Sequence, residues 1–483
     1  MGPLLVFFWP RILVVCCVAF ATSSIARAVE PYDVQTDVSE LKKRVDRLEK
    51  RNAELEQALE SDRLSDQEPV LATRLKAVED LAANMKPRAS QLEALEGIAV
   101  EVSFTTVGQR ANNTATVDGR RESQLNYRAD VSVSLPVGAV GGIGSELFAQ
   151  VRLGQGDGLA RLHPTFSGPN ATAFQLSGTS QADDSTALLA QLWYQANIPT
   201  ENAASESRGA WQIGFGKSEV FSFFDENAVA GNEAQQFLNS AFVHNPLLDA
   251  GGDVGADVYG FQPGVRLAYV DESSKPLTYG ISVGVFGTGP GAHYENTFSS
   301  PFSILQVETH QRFFGGLGGN YRLYFWRNGQ STPFNNPLDS TVEQRAGWGL
   351  SVDQQVSEGV VLFARYGKET RGRVQFDRTI TAGAEIGGES WGRALDAVGA
   401  AAGILRTSAQ FRADAPVLDA DGDGTPDFGY TPDASEKVYE LYYRYHVSKA
   451  FALTPDFQLI RNPGGNGASE SMKIIGLRAQ VTF

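Results

Sequence analysis

From Ile98 to the C-terminus, apolar and polar residues alternate in short segments separated by turn-rich stretches. A period of two with one apolar face is the signature of a strand presenting its two sides to different surroundings. Residues 125–135 show it most clearly. Leu125, Tyr127, Ala129, Val131, Val133 and Leu135 share one face, against Asn126, Arg128, Asp130, Ser132 and Ser134. The last segment repeats it, with Ile475, Leu477, Ala479, Val481 and Phe483 against Gly476, Arg478, Gln480 and Thr482. An opening strand around Val102 and Phe104 is followed by further candidates near 145–153, 187–198, 210–218, 257–270, 277–286, 303–311 and 314–327. Others lie near 346–356, 360–370, 402–412, 436–447, 450–461 and 471–483.

The N-terminal part has a different period. Val38, Leu41, Val45, Leu48, Asn52, Leu55 and Leu59 alternate spacings of three and four within residues 34–62, with Lys, Arg and Glu around them. That is a heptad seam, and Val at a with Leu at d leans towards a two-stranded coiled coil. Asn52 falls at an a position, where a buried amide fixes register. A single amphipathic helix on another surface is the plainer alternative. A weaker segment, Leu71, Leu75, Val78, Ala82 and Met85, ends at Pro87, and Gly97 marks the change of period.

One long apolar run opens the chain, from Leu4 to Phe20, interrupted by Pro10 and Arg11 and followed by Ala26-Arg27-Ala28. It reads as a secretory signal over residues 1–28, cleaved before Val29. The only two cysteines, Cys16 and Cys17, lie in it, so the mature chain needs no disulfide. Mean hydropathy is −0.21. Membrane-crossing strands produce such a value, because lipid-facing and lumen-facing residues average out. The expected fold is an all-β transmembrane barrel of about 16 antiparallel strands, since single-chain barrels have even numbers. Roughly 15 strands are visible, so one is expected inside a long loop. A periplasmic α-helical coiled coil over 29–97 precedes the barrel at 98–483. Short turns such as 447–449 are expected at the periplasmic end, and the stretches 413–435 and 462–470 outside. The net charge of −15 argues against a nucleic-acid partner.

Several blocks resemble the carbohydrate-selective porin family of Gram-negative outer membranes, the OprB-like porins. They are Gln191-Leu192-Trp193-Tyr194-Gln195, Ile213-Gly214-Phe215-Gly216-Lys217, Phe223-Phe224-Asp225 and Gln236-Phe237-Leu238-Asn239-Ser240-Ala241-Phe242. Trp391-Gly392-Arg393 with Asp396 and Gly399 follows, then Tyr439-Glu440-Leu441-Tyr442-Tyr443-Arg444-Tyr445. Leu453-Thr454-Pro455-Asp456-Phe457-Gln458 and Asn462-Pro463-Gly464-Gly465-Asn466 complete the most specific run. The resemblance covers roughly residues 98–483 and departs over 271–345 and the outer loops. It implies passive uptake of monosaccharides or similar small solutes through a barrel, commonly a homotrimer.

Alternation assigns faces. Glu440, Arg444, Asp456, Gln458 and Arg478 form one expected lumen patch, and Arg322 and Trp326 point together on another strand. A sugar channel needs groups that donate and accept to hydroxyls, and aromatic platforms for C–H faces. Arg322, Arg365, Arg393, Arg444 and Glu440 with Trp326 or Trp391 fit that need. Wall ion pairs and interfacial aromatic girdles are the bland reading of the same residues. Asp419, Asp421, Asp423 and Asp427 with Gly424 match the front half of a calcium loop, but position 12 is Tyr430, not Glu. Ca2+ is therefore weighed against an acidic surface loop, and no cofactor is expected to be required.

Other expected contacts are lipopolysaccharide and, through the coiled coil, the cell wall. An enzyme is disfavoured: His163, His244, His293, His310 and His446 show no metal spacing. A general porin, or a barrel sheathing a partner protein, is the remaining alternative.

Overall fold

The computed structural model describes residues 98–140, 142–174, 186–200, 209–249, 260–272, 276–288 and 298–483. The chain divides between Gly97 and Ile98. The expected signal peptide, coiled coil and shorter second helix lie outside the described residues.

Sixteen antiparallel strands close into one barrel, each bonded to its sequence neighbours, with the last returning to the first. They are β1 (Ala99–Ala111), β2 (Glu122–Val140), β3 (Ile143–Gln155), β4 (Thr186–Pro199), β5 (Gly209–Glu219) and β6 (Phe261–Asp271). Then come β7 (Thr278–Phe286), β8 (Phe302–Phe313), β9 (Leu317–Ser331), β10 (Glu343–Ser357) and β11 (Val360–Arg371). The last five are β12 (Phe376–Gly387), β13 (Ala397–Thr407), β14 (Glu436–His446), β15 (Phe451–Arg461) and β16 (Met472–Thr482). Closure pairs Phe104 with Val481 and Arg110 with Ile475, leaving no edge strand. Every backbone ladder is satisfied within the wall, which the hydrocarbon of a bilayer demands.

The strand that the alternation misses is β12. Its outward positions are Arg378, Ile380, Ala382, Ala384 and Ile386, and its inward ones include Gly383, so little hydrophobic contrast marks it. Its neighbour β13 ends at Thr407, not near 412 as expected. There the Ser408 hydroxyl accepts from the Phe411 N–H at 3.0 Å and caps a short helix over Ala409–Asp414.

The outward face is apolar as anticipated: Phe215, Ile281, Phe325, Ile380, Leu441, Phe457 and Ile475 are all exposed. The inside is not uniformly polar. The segment between β5 and β6 folds back into the barrel, and Phe224, Phe237, Phe242, Leu247 and Leu248 are buried there. Phe237 packs on Phe242, Phe363 and Tyr442, with ring centroids 5.0–5.5 Å apart. The wall beneath is thinned to receive these rings. A Cβ on Gly399 would fall 2.2 Å from the Tyr442 ring, and one on Gly383 would fall 2.5 Å from Phe363.

Candidate functional site

The inserted segment, residues 220–249, builds the site. Its first fixed point is Asp225, held at a positive φ of 55°. One carboxylate oxygen of Asp225 meets Arg365 Nε at 3.1 Å and the Tyr324 hydroxyl at 2.7 Å; the other accepts from the Asn245 N–H at 2.6 Å. Arg365 donates further to the carbonyls of Asp225 and Phe242. Asn239 caps a helical turn over Ser240–Val243 by accepting from the Ala241 N–H.

Its second fixed point is Glu440, whose two oxygens accept from the N–H groups of Leu238 (2.6 Å) and Asn239 (2.9 Å). Asn239 donates to Gln458, and Gln458 donates to Asp456 and to the Pro169 carbonyl. Arg478 donates to the Glu233 and Gln236 carbonyls, both at 2.8 Å. Arg444 donates to the Gln235 carbonyl and pairs with Glu385 at 3.3 Å. From β2, two strands beyond β16 around the wall, Arg128 pairs with Glu233 at 2.7 Å. Burial pushes the Glu233 carboxyl up, but Arg128 and Arg152 outweigh it and bring the pKa down to about 2.

These bonds show what most of the anticipated lumen residues do. Glu440, Arg444, Asp456, Gln458, Arg478 and Arg365 face inward as read, yet each has at least one polar atom that fastens chain to wall, either directly or through another of them. Trp326 also points inward, but it is only 5% exposed, tilted against the Tyr324 ring at 6.1 Å and packed over Gly347. Arg322 remains on the wall between Glu308 (3.6 Å) and Asp353 (3.1 Å).

Trp391 and Arg393 depart from the lumen assignment. They sit in the short β12–β13 turn on the outer side of the wall. Trp391 packs on the outward Tyr443, and Arg393 lies 4.1 Å over the outward Tyr445 ring. Arg393 also pairs with Asp396, which accepts from Tyr443 and the His446 N–H. Burial raises the Asp396 carboxyl, but the bonds from Arg393, Tyr443 and His446 lower it to about 2.

In the long β13–β14 loop only Asp419, Asp421 and Asp423 converge, with ligand atoms within 4.8 Å. Asp427 turns away to Asn336 and the Ala420 N–H. Asp419 accepts from the N–H groups of Gly422, Asp423 and Gly424, so its oxygens already close the turn.

The residues that the sequence reading did not single out are inward groups on β3 to β6. Trp193 stacks on Phe148 at 4.9 Å and meets Phe223 edge-on at 5.3 Å. Its indole N–H donates to Gln191, which accepts as well from Ser222. Arg266 lies 5.0 Å over Phe223 and donates to Gln195 and Gln212. Amide, guanidinium and ring faces thus converge beside the inserted segment. The block Gln191–Gln195 carried the signal, but alternation alone does not say which inward residues the folded-back segment covers: Gln191 and Arg266 are buried, whereas Trp193, Gln195 and Gln212 stay half-buried.

Among solved structures, the chain is similar to Pseudomonas putida OprB, with a TM-score of 0.65 and 18% identity, covering 82% of this chain and 96% of that one. A Rh. blastica porin mutant gives a TM-score of 0.44 at 8% identity, covering 80% and 100%. OmpT of Vibrio cholerae gives 0.44 at 9%, covering 80% and 97%. Comparison with curated protein sequences finds no match. The model of the carbohydrate-selective porin, OprB family, matches residues 121–483, and with the closed barrel and its inserted segment this establishes that the chain belongs to that family.

Proposed function

We propose that the protein is a diffusive outer-membrane porin for carbohydrates or similar small hydrophilic solutes. No bond is made or broken, and selectivity arises from constriction width and weak binding at several places. The observation that carries this reading is the segment 220–249, tied across the lumen from Arg128 on β2 to Arg365 on β11 and Glu440 on β14. A sheath for a partner protein needs an open bore; this barrel is narrowed by its own chain.

Solute contact falls to the polar and aromatic groups beside that segment. Trp193 offers a half-buried ring, with Gln195 and Gln212, both held by the buried Arg266, as half-buried hydrogen-bonding groups beside it. Arg322, paired with Glu308 and Asp353, is a second such group, and burial raises the carboxyl of Glu226 in the segment despite the Arg322 charge. Sugar hydroxyls both donate and accept, and mixed acid–guanidinium pairs serve both roles. Assembly as a trimer and a periplasmic N-terminal segment belong to this reading.

The test is single-channel conductance in a planar bilayer with glucose and other sugars titrated in. Steps in groups of three, blocked by sugar, are expected. Conductance indifferent to every sugar would leave a general porin, and silence from folded protein would favour the sheath.

A further inference from the structure

The outward face carries a pattern that solute passage does not use. Six consecutive strands around the closure, β12 to β16 and then β1, each present one exposed cation near the long-loop end: Arg378, Arg406, Lys437, Arg461, Lys473 and Arg110. They lie side by side. Arg378 pairs across the ladder with Arg406, and Lys437 with Arg461. Arg406 is two residues beyond Ile404, the partner of Lys437. Lys473 opposes Leu459, two residues from Arg461, and Arg110 opposes Ile475, two residues from Lys473.

Two residues towards the short-turn end, the same outward faces turn apolar or aromatic on five of the six strands: Ile380, Ile404, Tyr439, Leu459 and Ile475. No outward position of these strands carries a carboxylate. Among the described residues, none of the six has an ion-pair partner; Arg461 reaches only the Tyr439 ring, 5.9 Å away. Like charges directly opposite on a sheet repel. A chain of net charge −15 nevertheless sets six of its cations in one arc at the edge of its lipid-facing band.

We propose that this arc is a docking surface for the phosphates of lipid A, the bisphosphorylated glycolipid of lipopolysaccharide, with its acyl chains against the apolar row beneath. The long-loop end of such a barrel faces the cell exterior, so the inference rests on the outer-membrane reading and not on sugar passage. Guanidinium groups suit phosphate bidentately, and the lysines add point charge. Mutual repulsion within the arc is relieved when phosphate lies between the cations.

The experiment uses the full folded protein, freed of lipopolysaccharide, in neutral detergent. Binding of bisphosphorylated lipid A, dephosphorylated lipid A and phosphatidylglycerol is measured by native mass spectrometry. Lipid A is expected to bind most tightly and its dephosphorylated form weakly. Each neutralised cation should weaken binding roughly fivefold, so Arg378→Gln/Arg406→Gln/Lys437→Gln should lose about a hundredfold. Arg461→Gln/Lys473→Gln, on the neighbouring strands, gives a second reading should the triple variant not fold. Unchanged affinity in folded variants overturns the proposal. So does equal binding of dephosphorylated lipid A, or of phosphatidylglycerol, the latter leaving a generic anion-binding surface. Channel conductance should be unchanged by these outward substitutions, so failure here is separable from failure of the porin reading.

Discussion

Asp225 and Arg365 are 140 residues apart in sequence and 3.1 Å apart in space, and neither side chain is more than 1% exposed. One lies in the inserted segment and the other on the wall of β11. Breaking a buried pair from one side strands the remaining charge, at a cost of about 3–5 kcal/mol. Arg365→Ala is therefore expected to free the start of the segment while the strand ladder keeps the barrel closed. Single-channel conductance should rise and sugar block should weaken. Unaltered conductance from a folded variant would show that this pair does not hold the constriction.

The thinned wall can be tested by thickening it. Gly383→Val places methyl groups where Phe363 and the Ala400 carbonyl already sit. Overpacking of this kind costs about 1–3 kcal/mol. Ala382→Val, one residue away and facing outward, should cost little. A lower heat-denaturation midpoint for Gly383→Val alone, followed by far-ultraviolet circular dichroism, is the expected result.

Acid should loosen the segment at its other tether. A carboxylate held below its unfolded value stabilises the fold above that value and loses the contribution as pH falls through the folded one. For Glu233 the window runs downward from 4.5 to about 2. A shift of that size corresponds to about 3 kcal/mol. Conductance recorded from pH 6 to pH 2 should increase across this window, and Glu233→Gln should remove that part of the pH dependence. A wild-type curve superimposable on the variant's would dispose of the idea.

Trp193 is the residue whose loss should separate solute binding from channel width. Trp193→Ala removes the ring and its edge contact with Phe223 but none of the ion pairs or direct hydrogen bonds that hold the segment. Half-block by glucose should need roughly fivefold more sugar, the equivalent of about 1 kcal/mol. Conductance in the absence of sugar should stay equal or rise. If half-block does not move, the sugar contact lies elsewhere, with Arg322 and Glu226 the next residues to substitute.

What the sequence by itself determined is the wall. A two-residue period is a local property, and it assigned Glu440, Arg444, Asp456, Gln458 and Arg478 to the inner face and Leu441, Phe457 and Ile475 to the lipid. It failed for β12, where the outward Ala382 and Ala384 and the inward Gly383, which the Phe363 ring leaves no room to enlarge, blur the contrast. Trp391 and Arg393 were misplaced because they lie in a turn, where alternation assigns no face. Only the tertiary structure decided which loop returns to the lumen and which inward groups it consumes. Leu238 meets Glu440 across 202 residues and Asn239 meets Gln458 across 219. A pattern read a few residues at a time holds no information about contacts at that separation. Alternation says that Arg365 faces inward; it cannot say that Asp225 is already there.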